Sequence, residues 1–268
     1  MTLLSIDRLR IQRSSGLGDP LVSDVSFTVE AGEVVGVVGE SGSGKTLTGL
    51  SLLGLLPDGL SASGSLVFNG RELLTQSRRE WERTRGREIA MVLQDPSSSL
   101  HPMLKLGEQL TDHLRLHLGL RKAQAEARAI ELLERVHLRE PKRLLGQYAH
   151  QLSGGMKQRV SIAIALACGP KLLIADEPTT ALDANIRTGI IALLDELRRE
   201  SGMGIIFVTH DLAMLSSIAD RLNVFRNGEI VEAGQADSVF RNPQHPYTRV
   251  LLDAVPQVPW PLPKEIHS

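Results

Sequence analysis

Two hydrophobic patterns organise the chain. Four short runs are apolar almost without interruption: EVVGVVG (33–39), EIAMVLQ (88–94), KLLIAD (171–176) and GIIFVTH (204–210). Strands covered on both faces require such continuity, whereas half-exposed strands alternate, so the runs predict a buried parallel sheet in an α/β protein. Elsewhere EQLTDHLRLHLG and KAQAEARAIELLERVHL place apolar residues at helical spacing, and no buried strand is expected from about 96 to 157. That stretch reads as an inserted helical subdomain. Asn69-Gly70 follows GSLVF, and Asn227-Gly228 separates RLNVF from EIVEAG. Both pairs suit two-residue hairpin turns, which predicts antiparallel strands flanking the core. The expected organisation is a core formed by 1–94 and 158–235 with an antiparallel β subdomain, a helical subdomain at 95–157, and a C-terminal extension at 236–268. The extension ends in the proline-rich VPQVPWPLPKEIHS, expected to be extended or poorly ordered.

Each apolar run ends in residues that carry chemistry: the 39–46 glycine loop, Gln94, the Asp176-Glu177 pair and His210. Ligands of open α/β sheets bind at the carboxyl ends of the strands, so these endings are expected to converge on one site.

Composition narrows the function classes. A chain of 268 residues that is 42% hydrophobic can bury a sizeable core. A net charge of −1 and a pI near 6.7 lack the basic footprint of a nucleic-acid partner. Cys168 is the only cysteine, which rules out a disulfide or an all-cysteine iron-sulfur cluster within one chain and is compatible with a reducing cytoplasm. MTLLSIDRLRIQ is charged by Asp7 and Arg8, and no apolar run approaches the length of a membrane span, so neither export nor a transmembrane segment is expected. The charge-rich QSRREWERTRGRE (76–88) mixes both signs and reads as a solvated face.

GESGSGKT, comprising Gly39, Glu40, Ser41, Gly42, Ser43, Gly44, Lys45 and Thr46, follows a predicted strand and precedes the apolar LTGLSLLGLL. Glycines let backbone N–H groups turn onto phosphates and the helix N-terminus adds its dipole. Lys45 can reach the β/γ oxygens, and Thr46 can supply a Mg²⁺ ligand. Asp176, at the end of a buried strand, can hold Mg²⁺ through its water shell, and its neighbour Glu177 is the better residue to polarise water. Gln94 could ligate Mg²⁺ or orient the attacking water, and His210 could contact the γ-phosphate. His113 and His117 lie four apart on a predicted helix, but no third ligand follows at a recognisable spacing, so they read as a surface helix face. QLSGGMKQRV (151–160) poses a different question, because Ser153, Gly154 and Gly155 open a predicted helix with no phosphate-binding lysine beside them. A phosphate held on one side by 39–46 needs donors on the other, and a serine followed by two glycines at a helix start can supply them to a second molecule's nucleotide.

Gly39–Thr46, Gln94, LSGGMKQ (152–158), LLIADEP (172–178), ALD (181–183) and His210, in this order, resemble the nucleotide-binding subunit of an ABC transporter over nearly the whole chain. The resemblance implies a RecA-like P-loop NTPase core with an antiparallel β subdomain and an inserted helical subdomain, the ABC ATPase fold. It makes 39–46 the Walker A loop, Gln94 the Q-loop glutamine, and Ser153 to Gln158 part of the signature. Asp176 becomes the Walker B aspartate, Glu177 the catalytic glutamate, Asp183 the D-loop aspartate and His210 the switch histidine. One position departs from the family. LRIQRSSG lacks the aromatic residue that stacks on adenine in many members, and Arg13 is the nearest substitute, its guanidinium plane able to lie on a base.

GESGSGK, IADEPTTALD and NPQHPYT (242–248) resemble the oligopeptide, dipeptide and nickel import group. The resemblance implies ATP and Mg²⁺ as cofactors and a position on the cytoplasmic face of the inner membrane. The implied partners are a second ABC ATPase subunit, identical or related, two transmembrane permease subunits and an extracytoplasmic binding protein. Peptide import and nickel or metal-chelate import both remain open, with no iron-sulfur cluster in either case. A soluble non-transport ABC ATPase is the alternative of another class, although the chain lacks the second cassette, coiled-coil insertion or basic segments usual there. A non-hydrolysing nucleotide switch fits poorly with Glu177 and His210 both present.

Overall fold

The four apolar runs all become strands. A computed structural model describes residues 2–16, 18–180 and 182–254, so the whole of the proline-rich tail lies outside the described residues. In chain order the strands are β1 (Thr2–Arg13), β2 (Val22–Glu30), β3 (Val34–Gly39), β4 (Leu60–Phe68), β5 (Arg71–Glu72), β6 (Ile89–Val92), β7 (Leu172–Asp176), β8 (Gly204–Thr209), β9 (Arg221–Arg226) and β10 (Glu229–Gln235). The chain divides into two compact units, Met1–Trp81 with Gly202–Ser268, and Glu82–Ser201. The expected boundary at 94 falls inside the second unit, and that at 157 falls inside the helix Gly154–Leu166.

In the first unit β3 runs between two parallel neighbours. Val34–Val38 pair with Ile205–Thr209 of β8, and Val35–Gly39 pair with Arg221–Phe225 of β9. All six residues of β3 and all six of β8 are buried, so there is no polar face and hence no alternation to read in the sequence. Asn227 (φ 50°) and Gly228 (φ 83°) turn β9 into antiparallel β10, and Asn69 (φ 49°) and Gly70 (φ 77°) turn β4 into β5. Positive φ at both central residues is the type I′ geometry expected from Asn-Gly. A second, antiparallel sheet has the order β2-β1-β4-β5. Its Leu4, Ile6, Leu9, Ile11, Val25 and Phe68 are buried, at 2% exposure or less.

Asp220 sets the start of β3. Its carboxylate accepts the Val34 N–H at 2.9 Å and its own N–H donates to the Val34 carbonyl at 2.9 Å. Both polar groups of a fully buried residue are thereby satisfied. Nearby, Arg221 donates to the Thr28 carbonyl at 3.3 Å, tying β9 to β2.

In the second unit β6 and β7 pair in parallel, Ile89 opposite Leu172 through Val92 opposite Ala175. The helices Leu106–Leu118 and Lys122–Arg135 bury Leu106, Leu110 and Leu114, and Ala125, Ala129, Leu132 and Leu133, the spacing read in the sequence. Both pack on Gly154–Leu166, which buries Val160, Ile162, Ala163 and Leu166. His113 and His117 are not an open helix face. Their rings lie 4.6 Å apart, and His113 Nε2 is buried without a hydrogen-bond partner. Burial, followed by the charge of His117, holds His113 below the ordinary histidine range. No cluster of three metal-capable side chains occurs among the described residues.

Replacing Asp220 by alanine strands the buried Val34 N–H and is expected to lower stability by about 1–3 kcal/mol, whereas Asp220→Asn, which keeps an acceptor, should lose less. Urea unfolding of the two variants measures the difference.

Candidate functional site

The loop expected to cradle phosphate grows out of β3. At Gly39 a Cβ would lie 2.1 Å from the Phe225 carbonyl oxygen, so only glycine lets the strand end this close to β9. The loop then turns back to Gly44 (φ 99°), which caps the helix Lys45–Ser51 and packs against Val22 and Leu21. Lys45 is 6% exposed. Its ammonium donates to the carbonyls of Gly39 at 2.8 Å and Glu40 at 2.7 Å, and more weakly to Ser43 Oγ at 3.4 Å. The Gly228 N–H, from the β9–β10 turn, donates to the Ser43 carbonyl at 3.1 Å and braces the loop from behind. Glu40, Ser41, Gly42 and Thr46 face solvent. A buried cation under an exposed, glycine-turned loop suits a multiply charged anion such as a polyphosphate.

Two further expected residues belong to this unit. Val38 pairs with Thr209, so His210, exposed and next in the chain, stands level with Gly39. Asp211 caps the following helix by accepting the Ala213 N–H at 2.9 Å. Arg13, exposed at the end of β1, lies two residues beyond Ile11, whose carbonyl accepts the Leu21 N–H at 2.8 Å. Because Leu21 also touches Gly44, the end of β1 is brought beside the cradle.

The second unit assembles the carboxylates. Asp176, 6% exposed, closes β7. Glu177 follows with φ 46°, a conformation unusual for a non-glycine residue and one that concentrates at functional sites. Its Oε2 accepts two hydrogen bonds, from Gln94 Nε2 and from Thr180 Oγ1, each at 2.9 Å. Gln94 and Glu177, 83 residues apart, thus meet as the strand-end pattern foretold. Thr180 received no role from the sequence, although it stands inside the quoted DEPTTALD segment.

Ser153 is an N-cap, its Oγ accepting the Met156 N–H at 3.3 Å. Ser153 and Gly154 are exposed, whereas Gly155 is buried and a Cβ there would approach Ile186 Cγ2 to 2.9 Å. Close packing therefore supplies a reason for Gly155 that the sequence did not. Asp183 is exposed and caps the helix Ala184–Ser201 through the Ile186 N–H at 3.0 Å. Gln158 is a correction to the expected nucleotide contacts. It is fully buried with neither amide atom hydrogen-bonded, because its position in the helix turns it inward, and it offers no atom to a nucleotide. Beside Ser153 opens a cavity of about 650 Å³, with Arg139, Arg143 and Arg159 among its lining residues.

A sequence model of the family described as ABC transporter matches residues 22–180. The chain belongs to the ABC transporter family. A second model, described as the C-terminal region of oligopeptide/dipeptide transporters, matches residues 231–266. The oligopeptide transport ATP-binding protein OppD of Salmonella typhimurium is 46% identical over 257 residues, 96% of this chain and 77% of that one. Among solved structures, CbiO1 of Clostridium perfringens, part of an ABC transporter complex, superposes with a TM-score of 0.78 at 28% identity, covering 90% of this chain and 91% of that one. The ATP-binding cassette MJ0796, a dimer in a post-hydrolysis state bound to ADP and Pi, gives 0.75 at 26% identity, covering 87% and 98%. The fold is that of the ABC ATPases: a RecA-like P-loop core, an antiparallel β subdomain and a helical subdomain. The chain is accordingly an ABC-type ATPase that binds and hydrolyses ATP.

Two outcomes follow from this geometry. Gln94→Ala removes a charge-assisted hydrogen bond worth roughly 1.5–3 kcal/mol, so kcat should fall about tenfold or more while the affinity for ATP in the absence of Mg²⁺ is retained; steady-state hydrolysis and Mg²⁺-free nucleotide titration check this. Gly155→Ala should destabilise by about 1–3 kcal/mol through its clash with Ile186, while Gly154→Ala, with Leu182 at 3.6 Å, should be neutral or slightly stabilising in thermal unfolding.

Proposed function

We propose that this ABC ATPase energises import of oligopeptides or dipeptides, working with a second ATPase subunit, identical or related, two transmembrane permease subunits and an extracytoplasmic binding protein. The observation that carries the chemical part is the convergence of Gln94 and Thr180 on the Glu177 carboxylate, in a chain that also folds 39–46 around Lys45. The peptide cargo is supported by the match of 231–266 to the oligopeptide/dipeptide C-terminal region and by the likeness to OppD. These favour peptide over nickel or metal-chelate import and over a non-transport ATPase. Among the described residues no helix is long and apolar enough to cross a membrane. Attachment to the cytoplasmic face would then come through the permease subunits.

In this scheme the loop amides and Lys45 hold the phosphates, and His210 contacts the γ-phosphate. Glu177 polarises the attacking water, with Gln94 and Thr180 keeping its carboxylate aimed. Arg13 lies against the base. Thr46, Asp176 and the Gln94 amide are the residues that would hold Mg²⁺, and a hydroxyl, a carboxylate and an amide oxygen suit that hard cation. When bound there, Mg²⁺ would supply neutralisation of phosphate charge. The far side of the nucleotide is covered by the other subunit, whose counterparts of Ser153, Gly154 and Gly155 present a helix N-terminus, with Asp183 flanking the same contact. ATP thus closes the pair and hydrolysis reopens it. The helical subdomain of 95–157 passes the movement to the permeases.

Glu177→Gln should keep ATP binding, lose turnover by about a hundredfold or more and accumulate as a closed ATP-bound dimer in size-exclusion chromatography; ordinary hydrolysis in that variant would sink the assignment. Ser153→Ala should spare binding at the chain's own loop and slow hydrolysis in the dimer. For the cargo, peptide-loaded binding protein should stimulate ATPase activity of the reconstituted complex, and stimulation only by a nickel-loaded one would overturn the peptide reading.

A further inference from the structure

The NPQHPYT motif takes no part in the chemistry above, yet it touches the cradle at one atom. Tyr247 is 5% exposed, in the first turn of the helix Pro246–Asp253. Its hydroxyl oxygen accepts the Glu40 N–H at 3.0 Å. That N–H shares a peptide unit with the Gly39 carbonyl, which accepts the Lys45 ammonium at 2.8 Å. N–H and C=O of a trans peptide point in opposite directions. The Gly39–Glu40 plane is therefore gripped at both ends, by Lys45 on one side and Tyr247 on the other. Because residue 39 is glycine, side-chain sterics add little resistance to rotation of this plane. Rotation would carry away the carbonyl that positions the ammonium.

The motif holds the phenol ready for this contact. The Glu232 carboxylate on β10 accepts the N–H groups of Gln244 at 2.8 Å and His245 at 3.0 Å. His245 Nδ1 accepts the Tyr247 N–H at 3.2 Å, Pro246 opens the helix, and the Arg226 guanidinium lies 4.7 Å from the centre of the Tyr247 ring. Burial pushes the phenol pKa up, which keeps the hydroxyl protonated.

We infer that Tyr247 is a positioning residue for nucleotide binding: its hydroxyl orients the Gly39–Glu40 peptide and, through it, the Lys45 ammonium. The inference rests on the reading of 39–46 as the phosphate site.

Tyr247→Phe removes the hydroxyl and keeps the ring under Arg226. In the full chain it should weaken ATP binding about three- to tenfold, the equivalent of one hydrogen bond. The ATP KM should rise in parallel with kcat nearly unchanged, as expected when ground and transition states lose the same contact. Hydrogen exchange at the Glu40 amide should quicken while the melting temperature holds. Unchanged affinity, or a lowered melting temperature with unchanged affinity, would overturn the inference and mark a purely structural tyrosine. Should the variant fail to fold, the wild-type chain decides. Its Glu40 amide should exchange more slowly than that of exposed Gly42, and equal rates would also overturn the inference. Lys45→Ala separates the two levels, since wild-type ATP affinity in that variant would bring down the phosphate site itself and the role of Tyr247 with it.

Discussion

A lysine ammonium with only 6% of its residue exposed has to be matched by oxygen atoms before it can be matched to a ligand. At Lys45 the matching is done by the carbonyls of Gly39 and Glu40, and the first unit is arranged to hold those carbonyls still. β3 delivers Gly39 between two parallel neighbours, and the Phe225 carbonyl comes so near that no side chain fits. The Gly228 N–H holds the Ser43 carbonyl, Leu21 closes on Gly44, and Tyr247 holds the Glu40 N–H. These contacts come from β9, the β9–β10 turn, the segment before β2 and the C-terminal helix. They cost the chain four apposed segments for one loop, and the return is a cation preorganised at low solvent exposure, where its attraction for phosphate is least screened.

The second unit holds in place the carboxylate proposed to polarise water. Glu177 carries a positive φ just after a fully buried strand and is anchored from two directions by Gln94 and Thr180. Strain of this kind persists only where surrounding structure over-determines it, and Pro178 and Thr179, both buried, continue the chain immediately afterwards. The signature helix shows a similar economy. Gly155 permits the helix Ala184–Ser201 to approach, and that helix is itself capped by Asp183, so the stretch proposed to face a partner's nucleotide is seated on the helix that follows Asp183, the proposed D-loop aspartate.

Much of this was legible in order and spacing. The apolar runs, the Asn-Gly turns and the helical periodicity of 106–135 depend on local rules, burial on both faces, positive φ and the 3.6-residue repeat, and each formed as expected. Strand-end placement likewise brought Gln94 to Glu177. Spacing could not show the inward turn of Gln158 or the packing of the half-buried His113 against Gly86, because a helix has a buried side only once its neighbours are in place.

The sequence by itself determined the chemistry available: a glycine loop with one lysine, paired carboxylates, a glutamine, a histidine and a serine-glycine helix start, in an order that resembles a single family. Tertiary structure decided which atoms meet. Thr180 reaches Glu177 only through the turn after β7, and Tyr247 reaches Glu40 from 207 positions further along the chain. The physical reason is that a hydrogen bond is set by distance and direction in space. Neither is encoded in the spacing of residues along a chain.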